Sequence, residues 1–175
     1  ALRNVTRLLP GVYKIPNLHL NLQGGFTNTV PVASYRGVGR VEAIYTLERL
    51  IDEASRITGF DRVKLRKRNL ISPNSMPYTT PLGSTYDSGE YAKNMNTALE
   101  NSEWYGFPDR RDEAASRGKL RGIGICNYIE GAGGVPREYG RITIRENGTV
   151  QLAVGLVDQG QGHETTMRQI IAQKL

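Results

Sequence analysis

The sequence predicts a mixed α/β chain of the α+β kind, in which helices pack on small mixed sheets. Three observations point there. Apolar residues recur every three to four positions across 40–58, the period of an amphipathic helix. Two alternating runs flank Asn147-Gly148, a dipeptide that favours the tight turn of a β-hairpin. Gly160-Gln161-Gly162 then separates the second run from another apolar, helical stretch.

The elements follow in chain order. Residues 1–40 read as extended segments and loops. Residues 12–15 and 18–22 are short apolar or alternating runs interrupted by Pro16, and Gly24-Gly25 is a turn. Val41, Ile44, Leu47, Leu50, Ile51, Ala54 and Ile57 define the helix over 40–58, which Gly59 closes. Asp61 is placed to cap a second, short helix through Asn69. Val63, Leu65 and Leu70 supply its apolar contacts. Residues 72–89 carry three prolines and many Ser, Thr and Asn with no sustained period, and read as a long connection. Helices are expected over 91–104 and 108–117, the second closed by Gly118. The apolar run 121–129, a glycine loop at 131–134, a hairpin of 141–145 with 149–157, and a helix beginning near His163 complete the chain. The predicted organisation is thus 1–71, a helical and loop bridge 72–118, and 119–175.

Composition sets the outer limits. With 38% hydrophobic and 23% charged residues over 175 positions, the chain can bury roughly 70% of its unfolded surface, so a packed core is expected and disorder is not. A single cysteine, Cys126, rules out an internal disulfide framework and any cysteine-only metal site. Cys126 itself is expected as a small buried residue. No apolar stretch is long enough to span a bilayer. No charged-then-apolar leader is present, so a cytoplasmic setting is expected. The net charge is +6, and the densest basic cluster is Arg62, Lys64, Arg66, Lys67 and Arg68. On a helix these cations spread round the surface, which reads as a solvated or intersubunit face. No aromatics interleave with them, so nucleic acid is not expected as a partner. The chain starts at Ala1 and stops at Leu175 inside a running helix. Natural domains rarely end so, and a piece of a longer protein is expected.

Two loops could carry chemistry. In the first, Gly160-Gln161-Gly162 leads into a helix at His163. Glycines let a ligand approach the backbone, and a helix start offers free N–H groups and partial positive charge, suited to a phosphate. Gln161 can both donate and accept, as a heterocycle edge requires; Thr165 or Thr166 could add a hydroxyl. The same pattern fits a plain capped turn. It is not a dinucleotide fingerprint, because Thr165 stands where a third glycine would. The second loop is Tyr35-Arg36-Gly37-Val38-Gly39-Arg40, whose two arginines could hold an anion. It also fits a solvent-facing loop. His19 reads as a surface or structural histidine. His163 has no second ligand at metal-binding spacing, so no side-chain metal site is expected. Asn4-Val5-Thr6 and Asn147-Gly148-Thr149 match the glycosylation sequon, though the second already has a turn role.

Taken as an ordered set, Tyr35-Arg36-Gly37-Val38-Gly39-Arg40, the helix with Glu42 and Glu48-Arg49-Leu50-Ile51-Asp52, Leu65-Arg66-Lys67-Arg68-Asn69-Leu70-Ile71, Met76-Pro77-Tyr78-Thr79-Thr80-Pro81 and Gly160-Gln161-Gly162-His163-Glu164-Thr165 resemble the large subunit of molybdenum hydroxylases. That family includes xanthine dehydrogenase, aldehyde oxidase and aerobic carbon monoxide dehydrogenase. The resemblance spans essentially the whole chain, and implies parts of two lobes of a molybdopterin-binding domain. It implies that Tyr35, Arg36 and Gly37 approach the molybdenum ligands and substrate. It implies that Gly160, Gln161 and Gly162 hold the pterin and its phosphate, with His163, Glu164 and Thr165 at the phosphate end. The cofactor implied is molybdopterin with molybdenum, in the cytosine dinucleotide form for a bacterial parent. The family reaction hydroxylates a carbon with oxygen from water, and electrons leave through iron–sulfur and flavin (FAD) subunits or domains. An oligomeric parent acting on an aldehyde, an N-heterocycle or a similar small molecule is implied. Gly37 stands where carbon monoxide dehydrogenases carry a copper-binding cysteine, and Val38 where purine-oxidising members carry an aromatic; both argue against those substrates. No residue matches the family's catalytic glutamate, so no catalytic residue is expected in 1–175 and the piece alone should be inactive. A non-enzymatic scaffold or cofactor-insertion module of the same fold is the competing reading.

Overall fold

A computed structural model describes residues 2–30, 37–131, 137–158 and 160–175. They form an α+β arrangement of helices with two antiparallel two-stranded sheets. Two compact units divide the chain, Ala1–Glu130 and Gly131–Leu175.

In the first unit, helix α1 (Leu2–Leu8) packs against α2 (Arg40–Thr58), followed by α3 (Arg62–Asn69). The extended reading of 1–40 misses α1. Its seven residues, LRNVTRL, are too few to display a period, and packing on α2 holds a helix too short to persist alone. Helices α2 and α3 have the predicted bounds. Gly59 closes α2 with a positive φ of 73°. The Asp61 carboxylate accepts from the backbone N–H groups of Val63 at 3.0 Å and Lys64 at 2.8 Å, which caps α3. Residues 18–22 form no strand among the described residues. Tyr13 instead makes one antiparallel bridge to Leu70. The predicted connection 72–89 contains a small hairpin, β1 (Tyr78–Thr79) with β2 (Thr85–Tyr86). Helices α4 (Tyr91–Asn101) and α5 (Phe107–Ser116) follow.

Two small cores hold this unit. Leu8, Ile71 and Tyr86 form one, joined by Met76, Tyr78, Tyr91 and Ile129. Val63, Met95 and Leu99 form the other, with Leu70, Trp104 and Ile125. Full burial of each such side chain stabilises by roughly 1.5–3 kcal/mol. The run 121–129 takes no strand partner among the described residues. It is held by side chains, since Ile125 and Ile129 enter the two cores, and by the Arg62 guanidinium, which donates to the Ile123 carbonyl at 3.3 Å. Cys126, expected to be buried, is exposed; its neighbours Ile125 and Asn127 turn inward instead.

Arg66 overturns the reading of the basic cluster as a wholly solvated or intersubunit face. It is 0% exposed. Its Nε donates to Glu48 Oε2 at 2.9 Å, and its Nη2 donates to Asp52 Oδ1 at 2.9 Å and to the Glu48 carbonyl at 3.2 Å. Tyr13 completes the network by donating its hydroxyl to Glu48 Oε1 at 2.5 Å. Burial, reinforced by the Glu48 carboxylate, pushes the Tyr13 hydroxyl far above its ordinary range. Burial pulls the Arg66 pKa down, but Glu48 and Asp52 outweigh it and hold the guanidinium raised. The network ties the middle of α2 to α3 and to the segment after α1.

In the second unit, β3 (Gly140–Ile144) pairs with β4 (Val150–Val154), and α6 (His163–Lys174) follows. Register pairs Gly140 with Val154, Ile142 with Leu152 and Ile144 with Val150. One face is therefore apolar, because side chains alternate along a strand. The Asn147 side chain accepts from the Thr149 N–H at 3.1 Å and its hydroxyl at 2.7 Å, so this sequon asparagine serves the turn.

Candidate functional site

The loop before α6 is built by one acidic residue and two glycines. Gly160 and Gly162 have φ of 97° and 73°, a left-handed conformation open to glycine at little cost. A Cβ at either position would meet nothing within 4 Å. The glycines serve the backbone path and leave the loop's outer side open to a ligand. Asp158 holds the turn. Its Oδ1 accepts from Gly160 N–H at 2.9 Å and Gln161 N–H at 3.1 Å. The Gly160 hydrogen bond, then that of Gln161, and the nearby His163 ring keep the Asp158 carboxyl below the usual carboxylate range.

Gly162 caps α6 with no side-chain hydrogen bond, and the ladder opens with Thr166 N–H donating to the Gly162 carbonyl at 3.0 Å. The preceding first-turn N–H groups have no partner within the helix. Glu164 ion-pairs with Arg168 at 2.5 Å along the helix. His163 Nδ1 is buried with no hydrogen-bond partner among the described residues. Its ring borders a groove of about 930 Å³ between the apolar hairpin face and the Met167, Ile171 and Leu175 side of α6.

The structure thus gathers Gly160, Gln161, Gly162, His163 and Thr165 at one helix start. Sequence reasoning missed Asp158, although an Asp two residues before a Gly is a recognisable side-chain turn. Its carboxylate already occupies two of the loop N–H groups that a phosphate was expected to use.

The second loop is described from Gly37. Tyr35 and Arg36 lie outside the described residues. Gly37 and Gly39 have φ of 88° and 75° and carry the chain into α2, where Arg40 N–H donates to the Gly37 carbonyl at 2.8 Å. Arg40 ion-pairs with Glu130, so one of the two guanidinium groups expected to hold an anion already has a carboxylate of this chain as its partner. Asn4 Nδ2 donates to the Val38 carbonyl at 2.9 Å, which gives this sequon asparagine a structural role. His19 is exposed, as expected of a surface histidine. No group of three or more His, Cys, Asp or Glu residues suited to a metal ion is present among the described residues. No helix among them is long and apolar enough to cross a membrane.

The donor set fits a polar heterocycle bearing a phosphate: open left-handed glycines, the N-terminal end of α6, a two-way amide in Gln161 and a buried nitrogen on His163 with no partner among the described residues. Comparison with known proteins agrees. Two family models, both described as molybdopterin cofactor-binding domain, match residues 1–70 and 97–175. The nicotine 6-hydroxylase large subunit of Paenarthrobacter nicotinovorans is 31% identical over 94% of this chain and 21% of its own length. The carbon monoxide dehydrogenase large chain of Afipia carboxidovorans is 36% identical over 94% of this chain and 23% of its own. The crystal structure of quinoline 2-oxidoreductase from Pseudomonas putida 86 superposes with a TM-score of 0.79 at 31% identity, covering 98% of this chain and 23% of that one. The chain spans about a fifth of the length of the relatives it matches.

Proposed function

The chain belongs to the molybdopterin cofactor-binding domain family of molybdenum hydroxylase large subunits, and we propose that its two glycine loops are the parts that hold the cofactor. Gly160, Gln161 and Gly162 take the pterin and phosphate, with His163 and Thr165 at the phosphate end. Tyr35, Arg36 and Gly37 meet the molybdenum ligands and the substrate. The observation that carries this reading is the open, left-handed glycine pair at the start of α6, inside the matched span 97–175.

The chain's own residues bind and orient. First-turn N–H groups of α6 and its positive end neutralise phosphate charge. Asp158 stays ionised and keeps the loop in its turn. Gln161 offers a donor and an acceptor to a ring edge. When bound, the molybdenum cofactor supplies two-electron oxidation of a substrate carbon with oxygen from water.

The finer reading is a cytosine dinucleotide form of the cofactor, in an oligomeric cytoplasmic parent that passes electrons to iron–sulfur and FAD subunits or domains. Residues 1–71 and 119–175 belong to two cofactor-binding lobes bridged by 72–118. The parent acts on an N-heterocycle, an aldehyde or a similar small molecule; relatives named for nicotine and quinoline support the heterocycle.

The test uses the full-length parent expressed with molybdate. Gln161→Leu and a Gly160→Ala/Gly162→Ala double variant are purified beside wild type, and bound pterin is oxidised to its fluorescent product and quantified. The expected result is at least about a tenfold loss of retained pterin, equivalent to about 1.4 kcal/mol of binding, with unchanged far-UV circular dichroism. Full retention in both variants overturns the assignment. Cytidine monophosphate released on acid hydrolysis checks the dinucleotide form.

A further inference from the structure

The exit of the arginine loop is tethered from two sides. On one side α1 supplies Asn4, whose amide donates to the Val38 carbonyl at 2.9 Å; α1 itself is anchored by Leu8 in the core. On the other side Glu130 ion-pairs with Arg40, the first residue of α2. Glu130 ends a segment pinned along its length. The Ile123 carbonyl accepts from Arg62 at 3.3 Å, Ile125 enters one core and Ile129 the other, and the Asn127 amide donates to Met95 Sδ at 3.1 Å. Further along α2, Glu48 is locked to Arg66. The turn Gly37–Val38–Gly39 is therefore bracketed by groups that are each fixed to the unit's interior.

We propose that Arg40, Glu130 and Asn4 are positioning residues, which clamp the Gly37–Gly39 turn and so fix Gly37, the described residue of the loop read as meeting the molybdenum ligands and the substrate. The proposal rests on the reading of that loop as a cofactor loop, and it divides labour between two arginines. Glu130 neutralises Arg40 and ties the start of α2 to the segment that ends at Glu130, where the pair acts on backbone geometry. Arg36 remains for the ligand. Neither Asn4 nor Glu130 would touch cofactor or substrate. Arg40 and Glu130 are 90 positions apart in the chain, so the clamp joins the loop to the last segment of the first unit.

The test is made on the full-length parent from a molybdate-supplied culture. Arg40→Gln, Glu130→Gln, the double variant, the exchanged pair Arg40→Glu/Glu130→Arg, and Asn4→Ala are purified. Three readouts are taken: molybdenum and pterin per subunit, thermal midpoint, and the Mo(V) electron paramagnetic resonance spectrum after dithionite reduction. A clamp predicts that Arg40→Gln and Glu130→Gln retain molybdenum within about twofold of wild type, move the Mo(V) g-values in the same sense, and give no further change when combined, because each removes the same contact. The exchanged pair moves the spectrum back toward wild type, and Asn4→Ala shifts it independently. Unaltered spectra in both single variants at full molybdenum content overturn the proposal, as does a lowered thermal midpoint with no spectral change. If Arg40→Gln fails to accumulate, Arg40→Lys, which keeps the charge without the fork, is compared with the exchanged pair on the same terms. Wild type without molybdenum or pterin overturns the underlying cofactor reading instead.

Discussion

Removing the Arg66 guanidinium should be among the costliest single changes in the first unit. Arg66→Met keeps most of the aliphatic stem and deletes every donor. Lost are the bonds to Glu48 Oε2 and Asp52 Oδ1 at 2.9 Å and those to the Glu48 and Arg62 carbonyls at 3.2 Å. Asp52, with 24% of its side chain exposed, can turn to water. Glu48 cannot: it is 5% exposed, and among the described residues its one remaining side-chain donor is the Tyr13 hydroxyl. Stranding one member of a buried pair costs about 3–5 kcal/mol. At roughly 2–4 °C per kcal/mol for a chain of this size, the thermal midpoint should fall by about 6–20 °C. Urea unfolding followed by far-UV circular dichroism gives the free energy directly. Glu48→Gln combined with Arg66→Met removes the stranded charge as well, so the double variant should be more stable than Arg66→Met alone by about 1–2 kcal/mol. A loss below about 1 kcal/mol for Arg66→Met, or strict additivity in the double variant, would refute the network's role.

Other outcomes follow from the same geometry. Asp61→Ala removes the cap of α3 and should cost about 1 kcal/mol, read as a shift of about 2–4 °C in thermal midpoint. Tyr86 is 6% exposed, and burial pushes its hydroxyl up to about 12. A folded pKa above the unfolded value of about 10 stabilises fully below pH ~10, and that stability is lost as pH rises toward ~12. Alkaline titration of wild type should show the loss, and Tyr86→Phe should make it shallower, leaving the part contributed by the raised Tyr13 and Tyr91 hydroxyls. Gly162→Ala meets open space but keeps a φ of 73°. It should cost about 1–2 kcal/mol through the backbone alone, so a larger loss in urea unfolding would mean that the side chain clashes after all.

Periodicity made the helices over 40–58 and 62–69 legible because their caps sit at Gly59 and Asp61, where local chemistry and tertiary packing agree. The hairpin at Asn147-Gly148 was legible for the same reason. What failed was whatever depends on distant partners. Leu2–Leu8 is helical because α2 lies against it. Residues 121–130 carry a strand-like pattern, yet their contacts are with two side-chain cores and an arginine. Arg66 sits in a run of four exposed or half-exposed cations and is sequestered because Glu48 and Asp52, four apart on α2, point at it. That acidic pair, one turn apart on an amphipathic helix, was the available signal. At the site, the glycine positions were readable from composition. The Asp158 contacts and the Arg40–Glu130 pair were not, since the first is a turn detail and the second spans 90 positions.

The account's central claim is that this chain forms part of a molybdopterin cradle. The most direct measurement is the molybdenum and pterin content of the full-length parent, purified from molybdate-supplied cells and measured by plasma mass spectrometry and pterin fluorescence. The account predicts molybdenum and pterin in equal amounts, approaching one of each per large subunit. A folded, soluble parent that carries neither would contradict it.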